Sequence, residues 1–123
     1  MWKIFNNRKK RNQSDLDKEK AMQLVIQLNH INSSQRMGTI LKNPLLKEKL
    51  RDIYNTQHEI KVLDLAIIFT KEQIKLYEQC REIDITYDGY EINSEIISDY
   101  TETLNILQEI KERQMTNQGY NKT

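Results

Sequence analysis

Apolar residues recur at helical spacing through most of this chain, most clearly in its middle. From Pro44 to about Arg81 no glycine or further proline interrupts the pattern. Within it, isoleucine recurs at intervals of seven, which places one β-branched side chain on the same helical face every two turns. We therefore predict one long central helix at about 44–82, roughly 55 Å long at about 1.5 Å per residue. Its predicted interface with other helices is formed by Ile53, Ile60, Ile67 and Ile74.

A shorter amphipathic pattern precedes this helix and predicts a first helix at 14–31. Ser14 is a good N-cap, and acidic residues follow it in the first turn. The start of the central helix is well defined, because Asn43 precedes a proline and Pro44 suits the first helical position. The buried face predicted for the first helix has the spacing of an amphipathic helix and consists of Ala21, Leu24, Val25, Leu28 and Ile31.

After Arg81 the period of the pattern changes. Residues 85–92 alternate between apolar and polar positions around Asp88-Gly89, a pair that suits a tight hairpin turn. The stretch is therefore either a small β-hairpin or an irregular loop with a turn at Asp88-Gly89. In both interpretations the exposed tip of the loop, and a candidate protein-binding element, is formed by Tyr87, Asp88, Gly89 and Tyr90.

A third helix is predicted at 94–115, with a buried face formed by Ile96, Ile97, Tyr100, Leu104, Leu107 and Ile110. The predicted fold class is thus mostly all-α, with three antiparallel helices built on the long central one. The domain organisation is a basic N-terminal arm at 1–13, a helical domain at 14–115 and a polar tail at 116–123. Because the third helix is shorter than the central helix, one end of the rod stays uncovered, which favours a homo-oligomer or larger assembly.

The amino-acid composition indicates the kind of genome and the cellular compartment from which the chain comes. Isoleucine, asparagine and lysine are abundant while alanine occurs only at Ala21 and Ala66. This bias is typical of an AT-rich genome, that of a phage, a low-GC bacterium, or an AT-rich eukaryotic organelle or protist. The apolar content of 37% is low for a globular protein. The lone Cys80 fits a reducing compartment. The most apolar window, 60–69, is too short to span a bilayer, and the basic start lacks the apolar stretch of a secretory signal. We expect a location in the cytoplasm or in a virion.

Residues that could support catalysis are few. His30, His58 and Cys80 do not stand at metal-ligand spacing, and the serines cluster at predicted helix starts, where capping explains them. Three glycines form no phosphate-binding loop. We predict no catalytic, cofactor-binding or metal-binding residue, and no enzyme.

The N-terminal arm is the segment that most resembles a recognition element. Residues 1–13 contain no acidic residue and carry a charge of +5. Four interpretations are open: a solubilising tail, an anchor for another protein, a phosphate-contacting nucleic-acid arm, or a membrane-surface anchor. Its candidate contact residues are three large apolar side chains and five cations: Trp2, Ile4, Phe5, Lys3, Arg8, Lys9, Lys10 and Arg11.

These features favour a non-catalytic structural or adaptor protein that acts through helical protein contacts, for example a small phage virion or assembly component. The alternative is a regulator from a mobile element, which binds nucleic acid through its basic arm or blocks a host factor. A membrane-peripheral component of a larger complex is the third hypothesis.

Overall fold

The computed structural model describes residues 12–38, 44–84 and 86–121, of which 117–121 are described as helical backbone only. Its described residues form four helices and no strand, so the all-α prediction is confirmed. In chain order the helices are α1 (Gln13–Arg36), α2 (Pro44–Asn55), α3 (Ile60–Ile83) and α4 (Tyr87–Asn121).

Helix α4 packs antiparallel to both α1 and α3. Asn29 of α1 contacts Thr103 of α4, and Arg36, two turns later in α1, contacts Asp99, one turn earlier in α4. Residue numbers therefore decrease along α4 in the direction in which they increase along α1. The same order holds between α3 and α4, where Asp64 pairs with Lys111 and Arg81 reaches Ser94. Helices α1 and α3 therefore run in the same direction.

Helix α2 returns along the bundle and completes an up-down-up-down topology. Its C-terminal end lies beside α4, where Tyr54 donates a hydrogen bond of 3.1 Å to Glu109 Oε2. The guanidinium of Arg113 lies over the ring of Tyr54, 5.2 Å from the ring centroid. Most of α2 is exposed, so this helix covers one side of a core built mainly by the other three.

The core confirms the predicted face of α1 and the C-terminal part of the face predicted for the last helix, where Leu107 and Ile110 are buried. Tyr100 and Leu104 are half-buried. The buried apolar side chains are Ala21, Leu24, Val25, Leu28, Ile31, Ile53, Val62, Leu63, Ala66, Ile67, Ile106, Leu107 and Ile110.

The predicted continuous helix at 44–82 is instead two helices separated by residues 56–59. Thr56 closes α2 by bonding Asp52 O through both its backbone N–H and its hydroxyl. Glu59 then has extended backbone (φ −69°, ψ 136°) and its carbonyl accepts from Val62 and Leu63 to begin α3. The helical spacing of apolar residues continues across the break, because the turn at 56–59 leaves the apolar side chains of both helices facing the core.

The four isoleucines still face the interior after this break. Ile53 and Ile67 are buried, and Ile60 and Ile74 are half-buried, all within a single chain. The isoleucine line is therefore covered largely by the chain's own helices. The argument for assembly from an uncovered continuous rod does not hold in this structure.

Neither alternative for 85–92, a small hairpin or an irregular loop, describes this stretch, because residues 87–92 form the first turns of α4. Thr86 caps the helix: its Oγ1 accepts from Gly89 N at 3.1 Å and its carbonyl accepts from Tyr90 N at 3.0 Å. Asp84 supports the cap by accepting from the backbone N–H and the hydroxyl of Thr86. Asp88 lies in the first turn, where the positive end of the helix favours an anion.

Helix ends also differ from the predicted ones. Asn12, rather than Ser14, caps α1, accepting a 2.9 Å hydrogen bond from Asp15 N. That helix continues five residues past its predicted end, to Arg36. Helix α4 begins seven residues before the predicted Ser94 and its backbone stays helical to Asn121, through most of the predicted polar tail.

Candidate protein-binding surface

The three-helix packing ends where α1 ends, whereas α3 and α4 continue. Arg36, the last residue of α1, forms ion pairs with Asp99 and Glu95 of α4. On α4, Ile96 and Ile92 lie three and seven residues before Asp99, on the helical face that Asp99 and Thr103 turn toward α1. Ile96 therefore lies level with Arg36, whereas Ile92, one turn further along α4, lies beyond the end of α1.

The face of α3 that meets α1 continues in the same way. Leu65 and Phe69 line a shallow groove together with Ala21 and Met22 of α1. Leu76 and Ile83 follow Phe69 at intervals of seven, so they extend the same face toward the end of the helix. Leu76 lies level with the last turns of α1, because Asp17 of α1 pairs with Lys61 of α3 and the two helices run in the same direction. Ile83 of α3 and Ile92 of α4 lie past the end of α1.

We call this surface the distal groove and define it by Leu76, Cys80 and Ile83 of α3 and Ile92 and Ile96 of α4. Ile83 is 81% exposed, Ile92 57% and Leu76 49%. Cys80 and Ile96 are half-buried. Large exposed apolar side chains that follow a buried stripe in register indicate a binding surface more strongly than scattered single ones do.

The end of the α3–α4 pair that carries the distal groove is acidic, and we call its carboxylates the acidic rim. Residues 78–95 contain six acidic residues and a single basic one, Arg81, so this stretch carries a charge of −5 in a chain whose net charge is +1. Within the described part of the chain, only Glu95 of these six carboxylates forms an ion pair. The surface therefore combines apolar side chains with a negative field that favours cationic partners.

The predicted tip residues lie at the end of this α3–α4 pair, on a helical turn rather than a loop. Tyr87 and Tyr90 are exposed, and Tyr87 donates a 3.0 Å hydrogen bond to Glu91 Oε1. The guanidinium of Arg81 lies 5.4 Å from the ring centroid of Tyr90. Gly89 is buried, and a Cβ at this position would overlap the carboxylate of Asp84. The tip adds two tyrosines to the apolar and acidic surface.

A second apolar surface lies between α1 and α3. It is an open cavity of about 190 Å³ lined largely by Ala21, Met22, Leu65, Ile68 and Phe69, with Lys18 and Glu72 at its edges. Met22 and Ile68 are about half exposed. Because Phe69 and Leu76 share a face of α3, this cavity and the distal groove lie along the same side of that helix.

Polar side chains between α1 and α4 anchor the end of α1; Asn32, Asp99 and Thr103 are buried and Arg36 is exposed. Arg36 donates to both carboxylate oxygens of Asp99 at 3.1–3.3 Å, and this bonding raises the pKa of the guanidinium. Next to them, Asn32 Nδ2 donates to Thr103 Oγ1 at 2.8 Å. The cluster contains no nucleophile beside a base, so its chemistry is that of a helix–helix anchor.

The residues considered for catalysis are not brought together. His30 is exposed on α1, whereas Nε2 of His58 lies 2.9 Å from Ile53 O in the break between α2 and α3. Cys80 lies in the distal groove. Among the described residues, no three His, Cys, Asp or Glu side chains are placed to hold a metal ion. The described helices also include none that is both long and apolar enough to cross a bilayer.

The candidate contact residues of the basic arm, Trp2 to Arg11, lie outside the described residues. The distal groove itself was missed by sequence reasoning. Its signal was the seven-residue spacing from Phe69 to Leu76 and Ile83. That spacing marks a face but does not tell where the covering helix stops.

No protein-family model matches this chain, and searches of the curated proteins and of the solved structures found no match.

Proposed function

We propose that this protein is a non-catalytic structural or adaptor protein that acts by binding another protein chain through its helices. The observation that carries the proposal is the distal groove, where large apolar side chains of α3 and α4 are exposed beside and beyond the last turn of α1. Burying a fully exposed Leu or Ile side chain contributes about 1.5–3 kcal/mol. Leu76, Ile83 and Ile92 together would therefore offset a substantial part of the entropic cost of association.

The biological setting that fits this proposal is an assembly component. The composition is typical of an AT-rich genome, and a small helical protein with an apolar docking face suits a phage virion or its assembly pathway. In that setting the protein would connect neighbouring subunits rather than transform a substrate.

Capture of partners by the full chain and by a groove variant tests the proposal. Ile83→Lys/Ile92→Lys replaces two exposed apolar side chains with cations, so the fold should be retained. Immobilised wild-type protein incubated with native source material should retain a partner protein, either a different chain or a second copy of this one. The variant should not retain that partner. A matched control is Lys47→Glu/Arg51→Glu on the exposed face of α2, which should retain the same partner. Identical capture by all three proteins would contradict the proposal.

A second candidate function is a nucleic-acid-binding regulator. The observation that favours it is the cation cluster Arg8-Lys9-Lys10-Arg11, preceded by Trp2 and Phe5, which could stack on bases. Reversing the four charges to glutamate should then abolish binding to DNA or RNA and remove its salt dependence. Unchanged binding by that variant would exclude the arm as the nucleic-acid contact.

A further inference from the structure

The partner of the distal groove can be inferred from the rest of the chain. A suitable ligand needs large apolar side chains for Leu76, Ile83 and Ile92, and cations for a rim whose charge over residues 78–95 is −5. The segment before Asn12 has both in a short space: three large apolar residues and then four consecutive cations, with a total charge of +5. The arm and the groove are thus complementary in charge and in polarity.

The four consecutive cations of the arm, at 8–11, cannot reach the acidic rim of their own chain. Asp17 of α1 lies beside Lys61 of α3. Since α1 and α3 run in the same direction, Asn12 lies roughly 30 Å below Leu76, at about 1.5 Å per helical residue. A fully extended chain spans about 3.3–3.6 Å per residue, so Arg8 reaches only about 14 Å from Asn12 and Phe5 about 25 Å. The cation cluster stays far from its own acidic rim.

We propose that the distal groove of one copy binds the N-terminal arm, residues 2–11, of a second copy. Trp2, Ile4 and Phe5 cover the exposed apolar side chains of the groove, and the cations at 8–11 pair with carboxylates of the rim. This inference rests on the proposed function, because it names the partner of the same surface. It accounts for two features at once: large apolar side chains left exposed toward the end of the α3–α4 pair, and an acidic rim that is mostly unpaired within the described residues.

A charge-exchange experiment on the full chain tests the inference. One variant, the reversed arm, carries Arg8→Glu, Lys9→Glu, Lys10→Glu and Arg11→Glu. The other, the reversed rim, carries Glu82→Lys, Asp88→Lys and Glu91→Lys, all at exposed positions. The control reverses Lys47, Lys49 and Arg51 of α2 to glutamate, which changes a similar amount of exposed charge elsewhere. Circular dichroism checks that each variant is folded, and light scattering measures its mass.

Wild-type and control proteins should self-associate, more tightly at low than at high ionic strength, because screening shortens the Debye length from about 10 Å at 0.1 M salt to about 3 Å at 1 M. Each reversed variant alone should associate at least about 100-fold more weakly, since like charges then face each other. An equimolar mixture of the two should recover association, because each arm again meets a rim of opposite charge. Recovery in a mixture requires contacts between different copies.

Three results would overturn the inference: a wild-type protein that stays monomeric, a reversed arm that associates as wild type does, or a mixture that does not recover. The proposed function is tested separately by Ile83→Lys/Ile92→Lys. If that variant loses a captured partner while the reversed arm retains it, the groove binds another protein and only the self-association is wrong. If neither change affects capture, the proposed function fails as well.

Discussion

At the scale of single residues, the hydroxyl and amide side chains decide where helices begin and how they are anchored. Thr86 starts α4 through its bond from Gly89 N, and Asn32 ties α1 to Thr103. Asn32 Oδ1 is buried without a hydrogen-bond partner, a cost that the amide's bonds to α4 must outweigh. Local capping at Thr86 is also why Asp88-Gly89 forms a helical turn rather than a hairpin.

Removing the cap of α4 should destabilise the fold by a small amount. Thr86→Ala deletes the side chain that accepts from Gly89 N, and the loss of an N-cap typically costs about 1 kcal/mol. Urea unfolding followed by circular dichroism measures it. Thr101→Ala is the matched control, because Thr101 is exposed in mid-helix and bonds only the carbonyl of Ile97. If both variants lose the same free energy of unfolding, Thr86 does not stabilise α4 as its N-cap.

Asp17 should make stability depend on pH in the acid range. A hydrogen bond from Gln13 is the largest cause that lowers the pKa of Asp17 below 3.8, and Lys61 adds to it against the cost of burial. A folded-state pKa below the unfolded one contributes stability above about pH 4, which is lost as pH falls through the folded value.

Asp17→Asn should therefore lower the melting temperature at pH 7 and narrow its difference from wild type below about pH 4. Thermal unfolding followed by circular dichroism at pH 7 and in the acid range checks this. Glu48→Gln, at an exposed position on α2, serves as the control and should change little. If the difference in melting temperature between wild type and Asp17→Asn is as large in acid as at pH 7, the charge of the Asp17 carboxylate does not stabilise the fold.

At the scale of elements, the break between α2 and α3 is held by a side chain from α4. The buried Gln114 accepts from His58 N at 2.8 Å and donates to His58 O, which satisfies both backbone groups of one residue in the break. Unpaired backbone groups in a partly buried turn are costly, so this bonding stabilises the two-helix path over a continuous helix.

Gln114→Leu should destabilise the fold by about 2 kcal/mol, because both backbone groups of His58 lose their partners while the side-chain volume is nearly kept. Hydrogen exchange should show faster exchange at His58, and urea unfolding should show the lower stability. Gln108→Leu, at an exposed position of α4, is the control. Unchanged exchange at His58 would mean that Gln114 does not hold the break.

At the scale of the whole molecule, Asn12, the described residue that follows the arm, and the distal groove lie toward opposite ends of the α1–α3 layer. If two copies pack antiparallel, the arm of each copy lies beside the groove of the other. Both arm–groove contacts then form in one dimer, which leaves no free arm or groove for a third copy. We expect the self-association to stop at a dimer, twice the chain mass of 14.8 kDa. Sedimentation over a range of concentrations checks this. A mass that keeps rising with concentration would indicate head-to-tail chains instead.

The sequence by itself determined the helical class, the buried face of α1, the start of α2 at Pro44 and the inward direction of the isoleucine line. These follow from spacing and from backbone chemistry, which act over a few residues. Only the tertiary structure decided that 44–82 breaks, because the bonds that hold the break come from Gln114, 56 residues beyond His58. It also decided where α1 stops against α4, and hence which part of the shared apolar face is left open. Both outcomes depend on contacts between residues far apart in the chain, which periodicity does not encode.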